Sequence, residues 1–105
     1  MIKVLVLHAK PKDPEHFKKH YRDVHMPICA KMPGMISCGY SLDVRPFGAM
    51  KEQPVFCVFE IVFPDRETMD KAYQSDVGKQ IMADVPNFAT GSTPPQVMVY
   101  ELTDA

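Results

Sequence analysis

The stretch Val55-Phe56-Cys57-Val58-Phe59-Glu60-Ile61-Val62-Phe63 decides the fold. It is rich in β-branched and aromatic residues and is bounded by Pro54 and Pro64, which predicts a strand. Its odd positions, Val55, Cys57, Phe59, Ile61 and Phe63, point one way, and Phe56, Val58, Glu60 and Val62 point the other. Apart from Glu60 both sets are apolar, so both faces of this strand must be covered.

Working outward, Pro64 and Asp65 open a helix in which Met69, Ala72 and Tyr73 share a face. A break near Ser75-Asp76 starts a further helical piece, with Val77, Ile81, Val85 and Phe88 at helical spacing. Gly91 to Pro95 is a loop and Gln96 to Leu102 a last strand. Upstream lie an exposed loop, Arg45–Pro54, and a strand, Met35–Val44, after the Pro33-Gly34 turn. Asp13-Pro14-Glu15 is a helix start, with a capping carboxylate, proline in the first turn and an acid favoured by the dipole. Phe17, Tyr21, Val24, His25 and Ile28 fall on one face of that helix, and Pro27 predicts a kink or stop near His25. Ile2 to Ala9 is the first strand, with Ile2, Val4, Val6 and His8 on one side and Leu5, Leu7 and Ala9 on the other.

The order is βαββαβ, the ferredoxin-like split arrangement of the α+β class. It is an antiparallel four-stranded sheet with both helices on one face, and residues 1–105 form one domain. Helices cover only one face. The other would leave Phe56, Val58 and Val62 bare, and the Arg45–Pro54 loop has too few apolar residues to shelter them. The expectation is a homodimer whose copies bury these faces and enclose a cavity, a dimeric α+β barrel.

Composition narrows the function. The chain has 105 residues with 46% apolar and 24% charged, so it can build a core. Twelve Lys and Arg against 13 Asp and Glu give a net charge of −1, without the basic field that nucleic acid or a membrane surface requires. No apolar run approaches the roughly 20 residues of a spanning helix, and the apolar stretch in MIKVLVLHAK is too short and β-branched for a signal peptide. Cys29, Cys38 and Cys57 cannot all pair and show no C-x-x-C spacing, which fits a reduced, cytoplasmic protein. No glycine-rich loop follows the first strand, which argues against a nucleotide fold.

Three segments resemble the EthD family: MIKVLVLHAKP, the run from His20 to Ile28 with H-M-P at His25-Met26-Pro27 ahead of Met32-Pro33-Gly34-Met35, and Ile81 to Phe88 with D-V-P-N-F. The resemblance spans essentially the whole chain. It implies a homodimeric ferredoxin-like barrel with a lumen in each subunit, in a superfamily that includes muconolactone isomerases, polyketide cyclases, quinol-forming monooxygenases and haem-degrading enzymes. Fold membership therefore does not choose a chemistry, and a cofactor-independent oxidoreductase, isomerase or cyclase all fit.

His25 is the leading catalytic candidate. It lies on the apolar face one residue before the H-x-P break, where burial would keep its imidazole neutral and able to move a proton. Otherwise it only satisfies a helix-end carbonyl. Glu60 is expected to project into the dimer-side cavity as a second catalytic group, or else to form an ion pair that fixes register. His8 and Tyr40 are ligand-orienting candidates, and Phe88 and Asn87 can wall a pocket and polarise a carbonyl, or simply end a helix and anchor the core. His16 and His20 have the i, i+4 spacing of a helical metal pair but no visible third ligand, so exposed histidines on a charged flank and no metal or other cofactor are expected. The functional expectation is a lumen that binds a small apolar organic molecule, an aromatic, lactone or enolisable carbonyl compound. There His25 supports cofactor-free proton transfer or oxidation. The alternative is a non-catalytic binding or accessory protein.

Overall fold

In the computed structural model, which describes residues 1–48, 55–91 and 93–105, the elements follow the expected order. They are β1 (Ile2–Ala9), α1 (Pro14–His20), a π-helical turn (Tyr21–His25), α2 (Met26–Cys29), β2 (Ser37–Ser41), β3 (Val55–Phe63), α3 (Arg66–Gln74), α4 (Asp76–Asp84), a 3₁₀ turn (Val85–Asn87) and β4 (Gln96–Glu101). The strands form one antiparallel sheet in the order β2-β3-β1-β4. The ferredoxin-like reading holds. β2 is shorter than expected because an edge strand has one partner and frays. Most of the loop expected over Arg45–Pro54 lies outside the described residues.

The core sits between the sheet and the helices. Cys57, Phe59, Ile61 and Phe63 of β3 are 0–6% exposed, and Ile2, Val4 and His8 of β1 are buried beside them. The other face of the sheet carries Leu5, Leu7, Val58 and Val62, each half-buried in the lone chain, with Lys3 and Glu60 ion-paired at 3.2 Å across β1 and β3. Phe56 does not join that face. His8 pairs with Cys57 but Ala9 pairs with Val55, so Phe56 is the extra residue of a β-bulge. Its ring lies 5.2 Å from that of Phe17 on α1, with the Lys18 ammonium 5.8 Å from its centroid. A bulge reverses the alternation that period-two reading assumes.

The first helix starts where expected, with the Asp13 carboxylate accepting from the His16 N–H at 3.1 Å. It neither stops nor breaks at His25. The Met26 N–H donates to the Tyr21 carbonyl, an i→i−5 bond, and Pro27 sits at the start of α2, where its missing N–H leaves no gap. The wider turn keeps every fourth residue inward, so Phe17, Tyr21, His25 and Cys29 are buried while Val24, expected inside, is 41% exposed.

Ser75 ends α3 and caps α4 through its Oγ, which accepts from the Gly78 N–H at 3.2 Å. A Cβ at Gly78 would collide with the carbonyl oxygens of Ala72 and Tyr73, which are backbone and cannot step aside. Gly78→Ala is therefore expected to destabilise the chain by about 1–3 kcal/mol, read as a lower urea midpoint with an unchanged slope.

Candidate functional site

A cavity of about 400 Å³ opens between the sheet and the helices. Val4, Val6 and Phe59 form its floor, Met32 and Cys29 one wall, and Met69, Tyr73, Ile81 and Val85 the roof. Val97 and Val99 of the edge strand β4, 58% and 38% exposed, lie at its open side. The chamber thus lies within the subunit on the helix side, not on the open face where a dimer was expected to enclose it.

Of the candidates read from sequence, His25 and His8 line this cavity together. Glu60 does not share it. Its carboxylate is on the opposite face, paired with Lys3 at 3.2 Å, because its even position in β3 points away from the helices. That geometry matches the register-fixing alternative. Tyr40, opposite Phe59 on edge strand β2, is 43% exposed with its ring 5.5 Å from that of Tyr21, outside the cavity lining. Phe88 is fully buried behind the cavity, not on its wall, and touches the rings of His8, Phe17, His20, Tyr21 and His25 at 4.5–5.9 Å. Asn87 donates from Nδ2 to Asp84 Oδ1 at 3.0 Å, and its backbone carbonyl accepts from His16 Nε2 at 2.8 Å; it is not among the residues that line the cavity.

Asp84 is the site residue that sequence reading passes over. It is 7% exposed at the end of α4. His25 Nδ1–H donates to its Oδ2 and His20 Nε2–H donates to its Oδ1, both at 2.8 Å. One carboxylate therefore spans two imidazoles five residues apart. On a regular α-helix, residues five apart point about 140° from each other. The π turn brings them to one side. His20, expected on an exposed flank, is instead half-buried in this cluster, while His16 turns to the Asn87 carbonyl.

With Nδ1–H committed to Asp84, neutral His25 carries its free lone pair on Nε2. Burial holds the His25 imidazole below its ordinary value, outweighing the hydrogen bond and charge of Asp84, which raise it; His20 adds to the lowering. Burial alone would push the Asp84 carboxyl up, but donors from Asn87, His20 and His25 hold it below the usual carboxylate range. Burial, with His25 nearby, lowers His8 to about 4. Two neutral imidazoles thus face an apolar chamber. Burial pushes the Cys29 thiol on the cavity wall up to about 12, which leaves it protonated and unreactive at neutral pH.

A family model described as the EthD domain matches residues 9–92. An 11.0 kDa protein of Rhodococcus erythropolis, from the thcB–thcC intergenic region, is 30% identical over 95 residues, 87% of this chain and 86% of that protein. The crystal structure of an EthD family protein from Bacillus halodurans superposes with a TM-score of 0.85 at 27% identity, covering 98% of this chain and 99% of its own. A dimeric protein of ferredoxin-like fold from Bacteroides fragilis gives a TM-score of 0.70 at 10% identity, covering 96% and 95%, a likeness of fold alone.

Proposed function

The chain belongs to the EthD domain family, and on that premise we propose that its cavity binds a small, largely apolar organic molecule on which His25 acts as general acid/base. The observation that carries this reading is the pairing of His25 Nδ1 with buried Asp84 at 2.8 Å beside an apolar chamber of about 400 Å³. Asp84 fixes the tautomer and offsets the positive charge that forms when Nε2 takes a proton, while apolar walls exclude competing water. Aromatic, lactone and enolisable carbonyl compounds suit such a site, because abstraction next to a carbonyl needs one base and a dry pocket.

His25→Ala tests it. Turnover, or exchange of a bound ligand's acidic hydrogen with solvent, is expected to fall by about 10²–10⁴-fold while ligand affinity changes little. Unchanged exchange, or loss of affinity alone, overturns the assignment and leaves a binding or accessory protein.

The chain also pairs with a second copy through the open sheet face in this proposal. Leu5, Leu7, Val58 and Val62 present a continuous apolar surface there, and the Lys3–Glu60 pair sits among them. The Bacteroides fragilis relative of like fold is dimeric. Sedimentation is expected to give the mass of two 11.9 kDa chains, and a stable single chain would rule the pairing out. The three cysteines are free thiols, which suits a reducing compartment such as the cytoplasm. Among the described residues no helix is long and apolar enough to cross a membrane.

A further inference from the structure

His8 is 5% exposed, yet its ring nitrogens have no hydrogen-bond partner among the described residues. No side-chain nitrogen or oxygen among those residues is both unpartnered and sealed from accessible space, so the His8 ring, which lines the cavity, keeps open surface at its nitrogens. The ring is held there and not free to turn away. Phe17, Tyr21 and Phe88 meet it edge-on with centroids at 5.3, 6.0 and 5.6 Å. The Tyr21 hydroxyl does not serve it, being paired with Cys57. A ring nitrogen that opens onto an apolar chamber without a protein partner is placed to take one from a ligand.

Resting on the reading of His25 as the base, we propose that His8 holds the oxygen of an uncharged ketone or lactone while the neighbouring C–H faces His25. In the step this implies, the C–H bond breaks and its proton goes to His25 Nε2. The released electron pair forms a C=C bond, and the carbonyl π pair moves onto oxygen, where the His8 N–H stabilises the enolate. Return of the proton to the same or a conjugated carbon gives exchange or isomerisation, and no oxidant is consumed. Ring N–H donation from a neutral imidazole suits this role, and burial keeps His8 neutral down to about pH 4. The lining also selects against anions: it holds Asp70 at its exposed rim and no Lys or Arg among the described residues.

The test uses the full chain with 2-tetralone, an enolisable aromatic ketone, and 2-naphthoate, an anion of similar ring size. Binding is followed by ligand-observed NMR, and deuterium uptake beside the carbonyl is followed in D₂O. Tetralone is expected to bind, and naphthoate to bind at least about tenfold more weakly. His8→Leu is expected to weaken tetralone binding and slow uptake by about tenfold or more, and His8→Asn, which keeps an N–H, to recover most of both. Circular dichroism confirms that each variant is folded, and the Asn variant carries the comparison if Leu is not. Tetralone failing to bind, or naphthoate binding as well, overturns the ligand class. Wild-type behaviour of His8→Leu, with uptake lost in His25→Ala, overturns the role of His8 and leaves the base in place. Uptake no faster than in buffer, with His8-dependent binding intact, refutes the base instead and with it the proton-transfer step.

Discussion

Phe88→Ala is expected to lower the unfolding free energy by about 3–5 kcal/mol, the range for emptying a fully buried aromatic site. Phe88 is 0% exposed and follows the 3₁₀ turn, so its ring enters the core from the chain that connects α4 to β4. There it lies against five other rings, with the His25 centroid at 4.5 Å and an interplanar angle of 61°, and the Phe17 centroid at 5.1 Å and 89°. Edge-to-face packing adds to the burial, and the space left cannot collapse without moving β1, α1 and the π turn together. The same residue holds His8 and His25 at their angles. The variant is therefore expected to lose ligand binding even at temperatures where it stays folded. Urea unfolding followed by circular dichroism gives the first number and ligand-observed NMR the second; a loss below about 1 kcal/mol would show that the ring is not central to the core.

Acid is expected to destabilise the chain in a defined window. His8 in the unfolded chain takes a proton near its ordinary value of 6.5, whereas in the fold burial lowers this to about 4. Between those values the unfolded state binds more protons, so stability rises with pH across the window and is lost as pH falls through it. Above 6.5 both states are neutral at His8 and its full contribution is present; below about 4 both are protonated and the loss is complete. The difference corresponds to about 3 kcal/mol at most. His25 is shifted in the same direction by burial, so its contribution falls in the same sense. Asp84, held below the usual carboxylate range, acts in the same direction, its contribution being lost as pH falls below the usual carboxylate value. Urea midpoints at a pH of about 7.5 and about 4.5 read the loss, and His8→Asn should flatten it. An acid limb unchanged in His8→Asn would mean that His8 is protonated in the fold.

Much of this is legible in the sequence. Prolines, caps and alternating apolar positions mark each element, and the two-sided β3 requires a layer on its helix side. His25 was legible as well, because an apolar helical face and the following Pro27 single it out locally. Glu60 was not, since a carboxylate in an apolar strand reads the same whether it meets a ligand or Lys3 across the ladder. Asp84 stands in D-V-P-N-F, but its partners lie 59 and 64 residues away, and a contact at that separation leaves no local periodicity.

What the amino-acid order determined by itself is the succession of strands and helices, their polarity, and the inward placing of Phe17, Tyr21 and His25 on the first helix, though not of Val24, because these depend on neighbours a few residues apart. Tertiary structure decided the rest. The bulge turned Phe56 toward α1, the π turn aligned His20 with His25, and packing of α4 against that turn placed Asp84 between them. Each depends on backbone geometry that several sequences share and on contacts between distant segments, so the chamber and its paired imidazoles exist only once the layers have closed.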